Sequence, residues 1–405
     1  MPSLIRILLL GSLLSTAASA SGLGTLERAS GEIPSWEEGW LRRYRSEETE
    51  RLPEYALVHD YFGASLAIKL GTNPYPGTPR EITHPHFARP LKILAAGQSR
   101  NRETILLLMG LHEDSTKPYY RYIARTLLQN GYNVVALPNP LSDDYRAAQP
   151  RLDCPPGKIS CEAQIAQEIL SGVLKLPAFA NGSNKIHLLG FSYGSMMGAY
   201  LRRAAPGLIT GKTLFLSPIF DFSTTISRLD SAFERDLNPF PEEALGLSDV
   251  LKLERDAHLP WIDSEEIEAR AARITSFTFH DKLRQTLNDV RERGQCSRDR
   301  VEHVAEHPES RLRLSSLLEA CAEDMDGEHS SGNLTLENLW VDASSADDIT
   351  LLAATDDTFN DRGAAEAFQE KFSGRARVLI LPFGGHTGFV YSDWMARFLG
   401  EVFRH

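Results

Sequence analysis

Ser192 stands between two glycines in Gly190-Phe191-Ser192-Tyr193-Gly194, and the run leading into it, Ile186-His187-Leu188-Leu189, is apolar enough for a buried strand. A serine hydroxyl is a poor nucleophile near neutral pH. To attack a carbonyl it needs an imidazole that takes its proton and later returns it to the leaving group, and a carboxylate that orients that imidazole. His386 offers the imidazole, in Gly384-Gly385-His386-Thr387-Gly388, a glycine-rich loop that can bend a side chain back over neighbouring structure. Three carboxylates offer the third group: Asp356 and Asp357 after the apolar run Ile349–Ala354, and Asp221 after Leu214-Phe215-Leu216. The glycines at 190 and 194 belong where a serine sits on a sharp strand-to-helix turn whose neighbouring chain leaves no room for larger side chains. The chemistry in view is acyl transfer through a covalent acyl-Ser192.

These residues need elements to hold them. From about residue 90 the sequence alternates: strands over Leu91–Ala95 and Thr104–Met109, a helix over Lys117–Gln129, a strand over Asn133–Leu137, a helix over Glu162–Leu174 and the strand before Ser192. Met196–Arg203 then reads as a helix and Thr213–Leu216 as a strand. Alternation of this kind marks a mostly parallel sheet with helices on both faces. The rhythm stops from Asp221 to about Ala346, where the sequence is charged and helical. It resumes with strands at Ile349–Ala354 and Arg377–Leu381 and helices near Arg362–Phe372 and Trp394–Phe403. A helical block inside such an order is expected to be a cap over the carboxyl ends of the strands, where open α/β sheets bind ligands. Residues 21–90, with Trp36 and Trp40 in an amphipathic helix, are expected to supply the first strands.

The chain order of serine, acid and histidine, each after its strand, resembles that of the α/β-hydrolases, and the resemblance covers roughly residues 90–220 and 347–405. It implies an α/β-hydrolase fold with a core over 21–220, a helical cap insertion over 221–346 and the rest of the core over 347–405, after a leader at 1–20 that reads as a signal peptide on its own residues. It also favours Asp357 as the acid, because family acids follow their strand after a small turn and Thr355 and Asp356 intervene here; Asp356 and Asp221 remain alternatives. Asn360 and Asp361 are the better candidates for capping the following helix. Backbone N–H groups are expected to hold the oxyanion: that of Tyr193, directly after the nucleophile, and that of Leu111, in the loop where the family has His-Gly and this chain has Met109-Gly110. The implied activity is hydrolysis of a small-molecule carboxylic ester, with no cofactor. Acyl transfer to another acceptor, peptide hydrolysis, or binding without catalysis on the same fold are the alternatives.

Composition narrows the partners. The 405 residues carry 42% hydrophobic residues, enough for a large core, and a net charge of −11, which disfavours nucleic acid and anionic membrane surfaces. Arg6, the apolar Ile7–Leu14 and Ala18-Ser19-Ala20 have the layout of a cleavable signal peptide, so a secreted or periplasmic protein starting near Ser21, without a stable membrane anchor, is expected. In an oxidising compartment the four cysteines are expected to pair locally, Cys154 with Cys161 and Cys296 with Cys321. His303, Glu306 and His307 match a zinc-peptidase pattern, but Pro308 ends the helix at once and the segment is a charged helical face, so no metal site is assigned.

Overall fold

The computed structural model describes residues 35–48, 80–97, 103–114, 118–150, 154, 158–179, 185–235, 285, 289, 315, 334–340, 348–357 and 359–404. Eight strands form one sheet: β1 (Arg80–Ile82), β2 (Leu91–Ala96), β3 (Glu103–Leu108), β4 (Tyr132–Leu137), β5 (Ile186–Phe191), β6 (Thr213–Leu216), β7 (Ile349–Ala354) and β8 (Arg377–Leu381). Their spatial order is β1-β2-β4-β3-β5-β6-β7-β8. The pairings β1 with β2 and β2 with β4 are antiparallel, and every pairing from β4 to β8 is parallel. This is the α/β-hydrolase fold.

The helices fall where right-handed crossovers must put them. The chain steps one way from β3 to β4 through α2 (Pro118–Gln129), then reverses through α4 (Ile159–Val173) to β5 and continues through α5 (Tyr193–Ala204) to β6. A reversal of direction with a constant hand places α2 on one face and α4 and α5 on the other. The packing agrees: Tyr120, Ile123, Ala124 and Leu127 of α2 share a core with Ile105 and Leu107 of β3, whereas Ile169 of α4 and Met196 of α5 pack with Leu106 and Leu108. Beyond β7, α7 (Ala364–Lys371) joins the α4/α5 face, and α8 (Asp393–Val402) joins α2. Both faces are therefore covered, which is why the central strands read as continuous apolar runs. Burying each such Leu, Ile or Val contributes about 1.5–3 kcal/mol, more than strand propensities of at most about 1 kcal/mol, so burial dominates here.

Three elements differ from the sequence expectation. β1 is a mostly exposed three-residue edge strand, too short and too polar to announce itself. The short helix α3 (Asp143–Ala147) starts from Ser142, whose hydroxyl accepts from the Tyr145 N–H. α4 begins at Ile159 instead of near Glu162, because the N–H groups of Cys161 and Glu162 both reach the Lys158 carbonyl. The amphipathic helix at Trp36 is present as α1 (Trp36–Glu48) and packs Trp40 edge-on against Trp394 and Phe398 of α8. Most of the span expected to form the cap lies outside the described residues. Its two ends, α6 (Phe222–Arg235) and Leu334–Trp340, pack into the α4/α5 side of the core.

Candidate active site

Strand β5 stops at Phe191, which pairs with Leu216, and the Ser192 N–H still donates to the Leu216 carbonyl at 2.9 Å. The backbone then turns abruptly: Ser192 has φ 53° and ψ −124°, outside the regions that a side-chain-bearing residue favours, and α5 begins at the next residue. Such a conformation costs on the order of 1–3 kcal/mol and persists only where its surroundings force it. The surroundings do so. A Cβ on Gly190 would lie 2.7 Å from the Gly194 carbonyl oxygen, and one on Gly194 would lie 2.2 Å from that of Leu108, so both positions admit only glycine. Gly110 is similarly close: a Cβ there would sit 3.1 Å from that of Ser192.

His386 and Asp357 meet across the ends of β8 and β7, with the imidazole Nδ1 2.9 Å from Asp357 Oδ2. Both are buried. With Nδ1–H donating to the carboxylate, the lone pair of the neutral ring is on Nε2. The carboxylate has two further donors, the Phe359 N–H on Oδ1 at 2.9 Å and Asn360 Nδ2 on Oδ2 at 3.1 Å. The ring lies between Phe359, with centroids 4.4 Å apart, and Phe191, at 5.6 Å, the residue before Ser192.

The other two carboxylates have different partners. Asp356 accepts from the backbone of the histidine loop, Gly384 N to Oδ2 at 3.1 Å and Gly385 N to Oδ1 at 2.9 Å, so adjacent aspartates hold the ring and the loop that carries it. Asp221 accepts from Ser223 Oγ at 2.8 Å and from Thr224 N at 3.0 Å, which makes it a cap for α6. The cap expected of Asn360 is not made: α7 starts after Gly363 without a side-chain cap, and Asn360 instead bonds Asp357, the Pro218 carbonyl and the Phe220 N–H.

Two more supports carried no signal in the sequence. Ser217 Oγ donates to the His386 carbonyl at 2.5 Å, and the Tyr44 hydroxyl of α1 donates to the Phe383 carbonyl at 2.9 Å. Gly384, at φ 134°, is needed beside that contact, since a Cβ would come within 2.8 Å of the Tyr44 oxygen.

Tyr193 opens α5, so its N–H has no acceptor within the helix. Its buried phenol donates to Glu162 Oε2 at 2.8 Å. Burial first, and the Glu162 charge second, push the Tyr193 pKa well above the ordinary tyrosine value and keep the donor protonated. In the loop after β3, the Gly110 N–H is engaged by the Tyr120 hydroxyl at 2.5 Å, and the Glu113 N–H closes a turn on the Gly110 carbonyl at 3.2 Å. Leu111 lies inside that turn and is buried.

Cys154 and Cys161 form a disulfide with Cα atoms 5.8 Å apart, as their spacing predicted. Cys296, Cys321, His303, Glu306, His307 and residues 1–20 lie outside the described residues. Among the described residues, no helix is long and apolar enough to cross a membrane.

No protein-family model and no curated protein sequence matches this chain. Solved structures do resemble it. A serine hydrolase from Cycloclasticus zankles is 14% identical with a TM-score of 0.45, over 81% of this chain and 99% of its own. A bacterial membrane phospholipase A is 15% identical with a TM-score of 0.47, over 84% and 91%. An esterase from Pyrococcus furiosus is 14% identical with a TM-score of 0.40, over 80% and 88%. The fold assignment rests on the strand order and connections of this chain itself.

Proposed function

We propose that the protein is an exported serine hydrolase that cleaves a carboxylic ester through an acyl-Ser192 intermediate. The observation that carries this reading is the His386–Asp357 hydrogen bond, on the same edge of the sheet as a serine in a strained turn and with the imidazole packed against the residue before that serine. His386 Nε2 takes the Ser192 proton as Oγ bonds to the ester carbonyl carbon. The carbonyl π electrons move to oxygen, where the N–H groups of Tyr193 and Leu111 stabilise the charge. Collapse breaks the C–O bond to the alcohol, which leaves with the proton from His386. Water then repeats the sequence on the acyl-serine and releases the acid. Asp357 holds the ring and stabilises the imidazolium that forms twice per turnover.

A panel of chromogenic esters graded by acyl length, run with peptide and alcohol-acceptor controls, tests the reading. Ester hydrolysis together with fluorophosphonate labelling of Ser192 is expected. Labelling with turnover only when an alcohol or amine acceptor is present would make the protein a transferase, and no labelling would make it a binding protein.

A further inference from the structure

One group of metal-ligating side chains among the described residues includes none of Ser192, Asp357 and His386. His86, Cys154 and Cys161 bring one imidazole nitrogen and two sulfurs within 4.8 Å of one another. The sulfurs are joined in the disulfide. Cys154 is buried, whereas Cys161 is half-buried and lines a groove of about 630 Å³ between α4 and α5, with Lys158, Ser160, Gln164 and Tyr200. His86 is held in place by its neighbours. Its N–H donates to His84 Nδ1 at 3.2 Å, which leaves the His84 proton on Nε2, 3.1 Å from Glu168 Oε2. Its ring stands edge-on to Phe87 with centroids 5.4 Å apart.

We propose that this cluster is a redox-gated zinc site: a structural disulfide when oxidised, and a zinc site made of two thiolates and one imidazole when a dithiol reduces it. A thiolate of the dithiol attacks the accessible Cys161 sulfur and expels Cys154 as thiolate. The second thiol of the reductant then displaces Cys161, so two electrons pass to the protein and the dithiol becomes a disulfide. Zinc binding releases the two thiol protons to solvent, and the two thiolates neutralise the charge of the ion. Zinc at about 2.0–2.3 Å from nitrogen and sulfur sets tetrahedral ligand atoms about 3.3–3.8 Å apart. The imidazole, within 4.8 Å of the sulfurs, has to approach by up to about 1 Å, and the two sulfurs, once their bond is broken, have to separate to about 3.8 Å. Water completes the four-coordinate site.

The test is differential alkylation of the full-length chain, reduced with a phosphine and desalted without oxygen, with and without added Zn²⁺ and with peptide mapping by mass spectrometry. Zinc is expected to slow alkylation of Cys154 and Cys161 together by at least about tenfold, and His86→Ala is expected to weaken that protection by at least about tenfold. Circular dichroism checks the fold of each sample, and His86→Gln replaces His86→Ala if the alanine variant does not fold. Equal alkylation with and without zinc, protection unchanged by loss of His86, or unfolding of the reduced chain would each overturn the proposal. None of these readouts involves ester hydrolysis, so the site stands or falls separately from the acyl-serine mechanism.

Discussion

Ser192 and His386 exchange one proton in the proposed mechanism, so neither does its work without the other. Ser192→Ala and His386→Ala are each expected to lower kcat by about 10⁴-fold or more, and the double variant should fall little further. Additive losses on a single ester would remove them from a common unit. The three aspartates should separate just as clearly, because their partners differ. Asp357→Asn removes the charge that stabilises the imidazolium and can turn an amide donor toward the ring, favouring the wrong tautomer, and should cost about 10⁴-fold in kcat at every pH. Asp356→Asn replaces one of two backbone acceptors with a donor facing Gly384 or Gly385, a loss of about 1–1.5 kcal/mol that would lower kcat about tenfold if the histidine loop shifts. Asp221→Ala removes a helix cap and should lower stability by about 1 kcal/mol while leaving kcat unchanged. Steady-state kinetics and thermal melts on the three variants distinguish these roles, and a crippled Asp221→Ala would move the acid to the end of β6.

The strands carry different chemistry at their two ends. Their carboxyl ends hold Ser192, Asp357 and His386, while the amino end of β5 buries His187 between Glu103 of β3 and the backbone before β6. Its Nδ1 accepts from the Lys212 N–H at 2.9 Å, which puts its proton on Nε2, 3.0 Å from Glu103 Oε2. Burial lowers the His187 pKa below the ordinary 6.5, and the Glu103 hydrogen bond offsets this only in part. The unfolded chain therefore binds a proton at higher pH than the folded one does. The stability tied to neutral His187 is complete above about 6.5 and is lost as pH falls from there to the lower native value. Burial also opposes the Glu103 carboxylate, but the His187 hydrogen bond and the nearby charges of His187 and Lys185 outweigh it and hold the pKa below 4.5. That contribution is lost only in a second, more acidic window. The melting temperature should fall as pH drops below about 6.5, and His187→Asn should flatten that slope whatever it does to the absolute melting temperature. A slope unchanged by the substitution would assign the acid sensitivity to other groups.

At the scale of the whole chain, export and oxidation go together. The mature protein is expected to begin near Ser21 and to carry the Cys154–Cys161 bridge, which intact-mass and peptide analysis of the secreted form would check. The bridge spans a sequence separation of 7 and should contribute about 2–3 kcal/mol by restricting the unfolded chain. Replacing both cysteines by serine is therefore expected to lower stability by about that amount in chemical denaturation. A change in kcat would run through Glu162, the residue after Cys161 in α4, whose carboxylate accepts from the Tyr193 phenol next to Ser192.

The α/β alternation, the serine turn and the acid and histidine that follow their strands were legible in the sequence, because each depends on short-range facts: the length of an apolar run, a glycine two residues away, a loop after a strand. Gly190 and Gly194 are the clearest case, since the crowding that demands them comes largely from the turn's own backbone and the adjacent strand. Other features depend on residues far apart in the chain. Both faces of the central strands are apolar, so no periodicity could say that Leu106 faces α4 and α5 while Leu107 faces α2; the handedness of the crossovers decided it. The sequence favoured Asp357 through the family resemblance alone, and with β7 and β8 side by side one aspartate reaches the ring and the other the loop backbone. Ser217 and Tyr44 are ordinary polar residues in sequence and become supports of the histidine loop through contacts spanning 169 and 339 residues, and Asn360, which bonds Asp357, is held by the Pro218 carbonyl 142 residues away. A hydrogen bond of that separation has no local signature, because its geometry is set by the packing of the whole sheet.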